Sequence, residues 1–169
     1  MSTRTQSGAR AGTQSNAMAA GQDAIALLTA DHREVAEMFE QFEQLGDRAT
    51  TSKEKLKDKI CKALIAHTTI EEEIFYPAVR AANVEEGEDM VDEAIVEHAA
   101  AKDLIKQLQE MQPDDDLYDA KVKVLSEQIE HHVKEEEKEM FPKARKAGLD
   151  LLALGQEMAL RKQELMSTL

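Results

Sequence analysis

Apolar residues recur at helical spacing in four long segments of this chain, and in every one of them a histidine breaks the stripe. The first helix, about residues 23–45, carries Ile25, Leu28, Val35, Phe39 and Phe42 on one face and is ended by Gly46. A second is capped by Thr51 or Ser52, carries Leu56, Ile60, Leu64, Ile74 and Phe75, and stops near Pro77 or a turn later. A third, about 88–111, carries Val91, Ala94, Ile95, Ile105 and Leu108 and breaks before Pro113. A fourth, about 115–146, carries Tyr118, Val122, Leu125, Ile129 and Met140, with Gly148 beyond its end. Short polar links force neighbours to run antiparallel, so the expected fold is all-α, an up-down-up-down four-helix bundle over residues 22–147.

Two flanking segments complete the chain. Asp150 caps a short fifth helix within 148–169, which either packs on the bundle or pairs with a second copy as a homodimer. Residues 1–21 hold two arginines, no acid and little apolar surface, which predicts a disordered tail.

Composition narrows the function. The 34 acidic and 21 basic side chains leave a net charge of −13, which opposes approach to nucleic acid or an anionic membrane surface. Aromatics are 4% and tryptophan is absent, so Leu, Ile, Val, Met and Ala must fill the core, as suits helices better than a β-sandwich. Cys61 is alone and cannot form an internal disulfide, and no apolar run approaches the roughly 20 residues of a membrane span. A signal peptide's apolar stretch is missing as well, so the expected location is cytoplasmic.

His32 falls between Leu28 and Val35, His98 between Ile95 and Ile105, His67 with Glu71 between Leu64 and Ile74, and His132 with Glu136 between Ile129 and Met140. His32 and His98 lie about ten residues after their helix starts, and His67 and His132 ten residues before Pro77 and Pro142. In an antiparallel bundle all four therefore sit about 15 Å from one end, where they can converge. The carboxylates at i+4 share the faces of His67 and His132 and reach the same point. A repeat strengthens the pattern: His32 and His98 are 66 residues apart and His67 and His132 are 65 apart, and HTTIEEEIFYP aligns with HVKEEEKEMFP.

Two carboxylates and four imidazoles in one low-dielectric volume repel or go unsatisfied unless cations join them. If Glu71 and Glu136 each bridge two ions, each ion gains two imidazole nitrogens and two carboxylate oxygens, with positions left for a small ligand. A structural zinc does not need six groups, and calcium or magnesium prefers oxygen, so the mixed set favours two iron ions, with manganese next.

The ordered series His32, His67-x-x-x-Glu71, His98, His132-x-x-x-Glu136, with the segments IFYP and MFP, resembles the hemerythrin family, specifically the bacterial hemerythrin-like HHE cation-binding domains. The resemblance implies a four-helix bundle around a non-haem di-iron centre. Its implied roles are binding, sensing or reducing dioxygen, peroxide or nitric oxide, or else storing and delivering iron, including for iron–sulfur repair. Oxygen-carrying hemerythrins place a further histidine four residues after the third-helix histidine; here Lys102 stands there, leaving six protein ligands as in the repair branch.

Other residues carry plainer expectations. His131 lies about 100° around the helix from His132 and is excluded as a ligand. Lys102 is expected to snorkel past the bundle edge or donate to an oxygen ligand, and Glu72, Glu73, Glu135 and Glu137 to face mostly solvent. Tyr118 is too far from His132 to share its ligand, and Cys61 is an inert thiol.

Overall fold

Asp23 opens the first helix, α1 (Ala24–Glu43), its Oδ1 accepting the Ala26 N–H at 2.8 Å. The computed structural model describes residues 21–169, so the expected N-terminal tail lies outside the described residues except for Gly21. The remaining helices are α2 (Thr50–Ile70), α3 (Tyr76–Ala81), α4 (Gly87–Gln109), α5 (Tyr118–Glu135), α6 (Phe141–Lys146) and α7 (Leu151–Thr168). No strand occurs among the described residues, and no helix among them is long and apolar enough to cross a membrane.

The expected second and fourth helices each contain a single turn of π-helix, Glu71–Phe75 between α2 and α3 and Glu136–Met140 between α5 and α6. In both, the residue before the proline donates its N–H five residues back, Tyr76 to the Glu71 carbonyl and Phe141 to the Glu136 carbonyl. A proline inside an α-helix lacks a donor and its ring meets the carbonyl four residues earlier. The wider turn ahead of Pro77 and Pro142 absorbs that conflict, and each rod runs on for another turn.

Two apolar layers form the core. One gathers Leu28, Ile70, Phe75, Val79, Val91, Phe141 and Met158; the other gathers Val35, Phe39, Ile60, Leu64, Ile105, Leu108 and Leu125. Cys61 is buried in the second layer, where loss of hydration pushes its thiol up to about 11 and keeps it protonated. Gly148, at φ +79°, turns the chain after α6 in the left-handed region that glycine tolerates.

Two local expectations are corrected. Ala49 stands at the start of α2 with no side-chain cap, because the helix begins at Thr50 and already contains both Thr51 and Ser52. Ile95 is exposed: the inward stripe of α4 runs Val91, Ala94, His98, Ala101, Ile105, and Ile95 lies about 100° around from Ala94.

The C-terminal helix α7 is capped by Asp150, whose Oδ1 accepts the Ala153 N–H at 3.1 Å. It lies on α1 and α2, burying Met158 in the first layer, and approaches the start of α1 closely at Gly155. A Cβ at Gly155 would stand 2.3 Å from the Gln22 carbonyl oxygen and 2.7 Å from the Ala24 nitrogen, backbone atoms that cannot rotate away. Gly155→Ala is therefore expected to lower stability by about 1–3 kcal/mol through displacement of α7. Chemical denaturation measures this, and an unchanged midpoint would show that the helix does not dock so tightly.

Candidate metal centre

Between the two apolar layers lies one polar layer, and it consists of His32, His67, Glu71, His98, His132 and Glu136, all buried. The six side chains singled out in the sequence are thus brought together. His32 Nε2 is 3.1 Å from His67 Nε2 and 3.3 Å from Glu136 Oε2, and His67 Nε2 is 3.2 Å from Glu71 Oε1. On the other side, His98 Nε2 is 3.0 Å from His132 Nε2 and 3.3 Å from Glu71 Oε2, and Glu136 Oε2 is 3.6 Å from His132 Nε2. Glu71 turns one oxygen to each histidine pair, as a bridging carboxylate would.

Each imidazole presents Nε2 inward because its Nδ1 is held from behind. His32 Nδ1 donates to Glu137 at 2.9 Å, His98 Nδ1 to Glu72 at 2.8 Å, His132 Nδ1 to Glu97 at 2.7 Å and His67 Nδ1 to Asp31 at 3.4 Å. This fixes the tautomer and aims four nitrogen lone pairs at one volume. Into the same volume point Glu71 Oε1, Glu71 Oε2 and Glu136 Oε2, buried oxygens with no hydrogen-bond partner. Buried acceptors without donors are costly, and a convergent set of nitrogen and oxygen lone pairs is the donor set a divalent transition metal takes. The residues fit such cations.

The outer carboxylates were missed in the sequence, where Glu72 and Glu137 were expected to face mostly solvent. They obey the repeat. The residue before each lone histidine, Asp31 or Glu97, serves the histidine of the other hairpin strand, and the residue after each inner glutamate, Glu72 or Glu137, serves the lone histidine. Adjacent Glu71 and Glu72, at the start of the π turn, straddle the two nitrogens of His98. Lys102 neither snorkels free nor reaches the centre, since its Nζ lies 2.7 Å from both oxygens of Glu72. His131 is exposed and turned to Glu97 and Glu135, outside the central layer.

Tyr76 was also missed. The π turn brings it beneath Glu71, and its hydroxyl donates to Glu136 Oε1 at 2.8 Å and lies 3.3 Å from His98 Nε2. Burial, with Glu71 and Glu136 nearby, holds this phenol well above its ordinary value, so it is a donor at neutral pH. Its repeat partner is Phe141, which stacks on His32 with ring centres 5.9 Å apart and has no hydroxyl to offer. The aligned aromatics before Pro77 and Pro142 were the signal available.

The fold and this layer define a class: helical bundles with a buried nitrogen and oxygen site suited to cations. The sequence pattern of the hemerythrin HHE cation-binding domain matches residues 23–144, and the chain belongs to that family. A crystal structure of a hemerythrin HHE cation-binding domain-containing protein from Mycobacterium kansasii superposes with a TM-score of 0.73 at 21% identity, covering 86% of this chain and 88% of that one. A DNA nickase of Nostoc sp. (strain PCC 7120) is 30% identical over 123 residues, which is 71% of this chain and 32% of that protein. The chain thus matches about a third of that relative's length.

Electrostatics within the layer give a pH dependence. Burial alone would lower the His67 imidazole, but Glu71, Asp31 and Glu136 outweigh it and raise it to about 10. Against the same burial, Glu136, Glu97 and Glu71 raise His132 to about 9. Burial would raise the Glu71 carboxyl, yet His67 and His98 hold it well below the usual range. The surrounding carboxylates therefore favour positive charge at His67 and His132, which a cation can supply in place of a proton.

Both imidazoles lie above their unfolded value of about 6.5. In chelator-treated protein, the stability they confer is complete below about 6.5 and lost as pH rises through about 9 and 10. Cations must displace the same protons, so metal affinity rises over that range. The expected result is a melting temperature of stripped protein that falls from pH 7 to 10 while that of loaded protein does not. Loading at pH 7 should release about one proton from each of these two imidazoles, measured by calorimetry in buffers of different ionisation enthalpy. Loading without proton release would contradict it.

Proposed function

We propose that this protein is a non-haem di-iron protein that binds, senses or reduces a small oxidant: dioxygen, peroxide or nitric oxide. The observation that carries the reading is the convergence of four Nε2 atoms and three partnerless carboxylate oxygens in one buried layer. Iron suits a set that mixes imidazole with carboxylate, and manganese comes second. When bound, an iron pair supplies redox chemistry and open positions for a small ligand. In this reading His32, His67, Glu71, His98, His132 and Glu136 would hold the ions.

The chain's own residues favour a small reactant. A cavity of about 10 Å³ adjoins His32, His67 and His132 and is otherwise lined by Val35, Leu64 and Ile129 among others, which is room for about one water-sized molecule. Outside it, between α1 and α5, a groove of about 350 Å³ reaches His32 from the surface. Ile129 and Val133 line both spaces and so stand between them. Tyr76 holds Glu136 by hydrogen bond and is positioned to keep a proton close to the centre. Lys102 braces Glu72, so in this chain it supports an imidazole where oxygen carriers have an additional one.

A net charge of −13 opposes approach to DNA phosphates, and this chain matches about a third of the Nostoc DNA nickase, so the reading favours small-ligand chemistry over nicking.

Metal analysis with optical spectra before and after azide tests the proposal. Iron and a near-ultraviolet band shifted by azide or peroxide are expected. A spectrum indifferent to every small ligand, with iron lost on reduction, would instead indicate iron storage or delivery. Glu71→Ala and Glu136→Ala should abolish most metal binding, while Glu130→Ala, on a surface carboxylate paired with Lys134, should leave it intact. Glu72→Ala and Glu97→Ala should weaken metal affinity about 10–100-fold, by releasing the imidazoles they hold. Val133→Phe should slow azide binding without changing metal content; an unchanged rate would mean that the groove is not the approach.

A further inference from the structure

His131, exposed on α5, stands beside two carboxylates, only one of which, Glu97, touches the central layer. Its Nε2 lies 3.1 Å from Glu135 Oε1 and 3.5 Å from Glu97 Oε1, one nitrogen and two oxygens close enough to hold a divalent cation. Glu97 turns its other oxygen to His132 Nδ1 at 2.7 Å, so the outer trio and the centre share a residue. A cavity of about 50 Å³ alongside is walled by Glu93, Glu97, Glu135 and Glu139 and reaches His132 and Glu136. Glu136, which lines that inner end, is buried and turns its partnerless Oε2 to His32 and His132, so the cavity leads to a ligand of the central layer. None of the four wall carboxylates has a lysine or arginine ion-pair partner among the described residues.

The repeat supplies the comparison that decides what this means. Glu93, Glu97, His131, Glu135 and Glu139 correspond to Leu27, Asp31, Ala66, Ile70 and Ile74 in the first half. There, Leu27, Ile70 and Ile74 belong to the apolar layer that α7 covers with Met158, and Asp31 is neutralised by Lys162 at 2.5 Å. One flank of the layer is therefore closed and neutral, and the related flank is open and negative. Repulsion among unpaired carboxylates is unfavourable for stability, so the open flank is arranged for a cation and not for packing.

We propose that this flank is the entrance by which divalent cations reach the centre, with His131, Glu97 and Glu135 as an outer binding position that passes the ion to Glu136 and His132. The proposal rests on the two-cation reading of the central layer. A cleft lined by one sign of charge concentrates counter-ions and speeds their arrival, and salt weakens that effect.

The test uses the full chain stripped by chelator, with Co²⁺ alone as the probe, following uptake by stopped-flow absorbance and final content by elemental analysis after gel filtration has removed ions held only at the exposed outer position. His131→Ala combined with Glu135→Gln should slow uptake about tenfold or more, with final Co²⁺ content unchanged. Glu93→Gln with Glu139→Gln should slow it through charge alone and flatten its dependence on salt. Arg161→Ala, on the closed flank where Arg161 pairs with Glu73, should load at the original rate. Variants that load as fast as the unaltered protein would overturn the entrance while leaving the centre standing. Variants with reduced final content would overturn it too, by making these residues part of the centre. Unaltered protein that takes up no Co²⁺ would remove the two-cation reading and the entrance with it.

Discussion

Four imidazole nitrogens and three carboxylate oxygens facing one another in a dry layer repel unless positive charge is placed among them, and the rest of the molecule answers to that constraint. Around the layer, Glu137, Glu72, Glu97 and Asp31 hold the backs of the imidazoles so that none can rotate away. Lys102 and Lys162 then hold two of those carboxylates. Above and below, the apolar layers exclude water and keep the local dielectric low, which strengthens each interaction.

The helical rods and the inward histidines were legible because both depend on periodicity alone, and a spacing of four residues keeps His67 with Glu71 and His132 with Glu136 on one face. The repeat placed the two halves at the same height. What the pattern did not reveal depends on departure from periodicity. The π turns after Ile70 and Glu135 change the pitch where the prolines demand it, and Tyr76, at the end of the first, reaches His98 and Glu136. Ile95 shows the converse error, an apolar residue assigned inward by type though its angle carries it to the surface. The roles of Asp31 and Glu97 rest on contacts between helices, which no single-helix pattern contains.

Proline and the inner glutamate are therefore parts of one device. The ring at Pro77 or Pro142 forbids regular hydrogen bonding, the helix widens by one residue, and the widened turn starts at the carboxylate that needs to reach two histidine pairs. Irregular backbone is placed where it lines the functional layer, and the regular α-helical stretches on either side carry the packing.

The helix that shields one flank lies beyond the bundle in chain order. At about 5–20 residues per second of synthesis, the histidines and glutamates emerge seconds before Met158 and Lys162. Closing of that flank thus waits on residues later in the chain than every member of the layer it covers, and until Lys162 arrives Asp31 has no lysine.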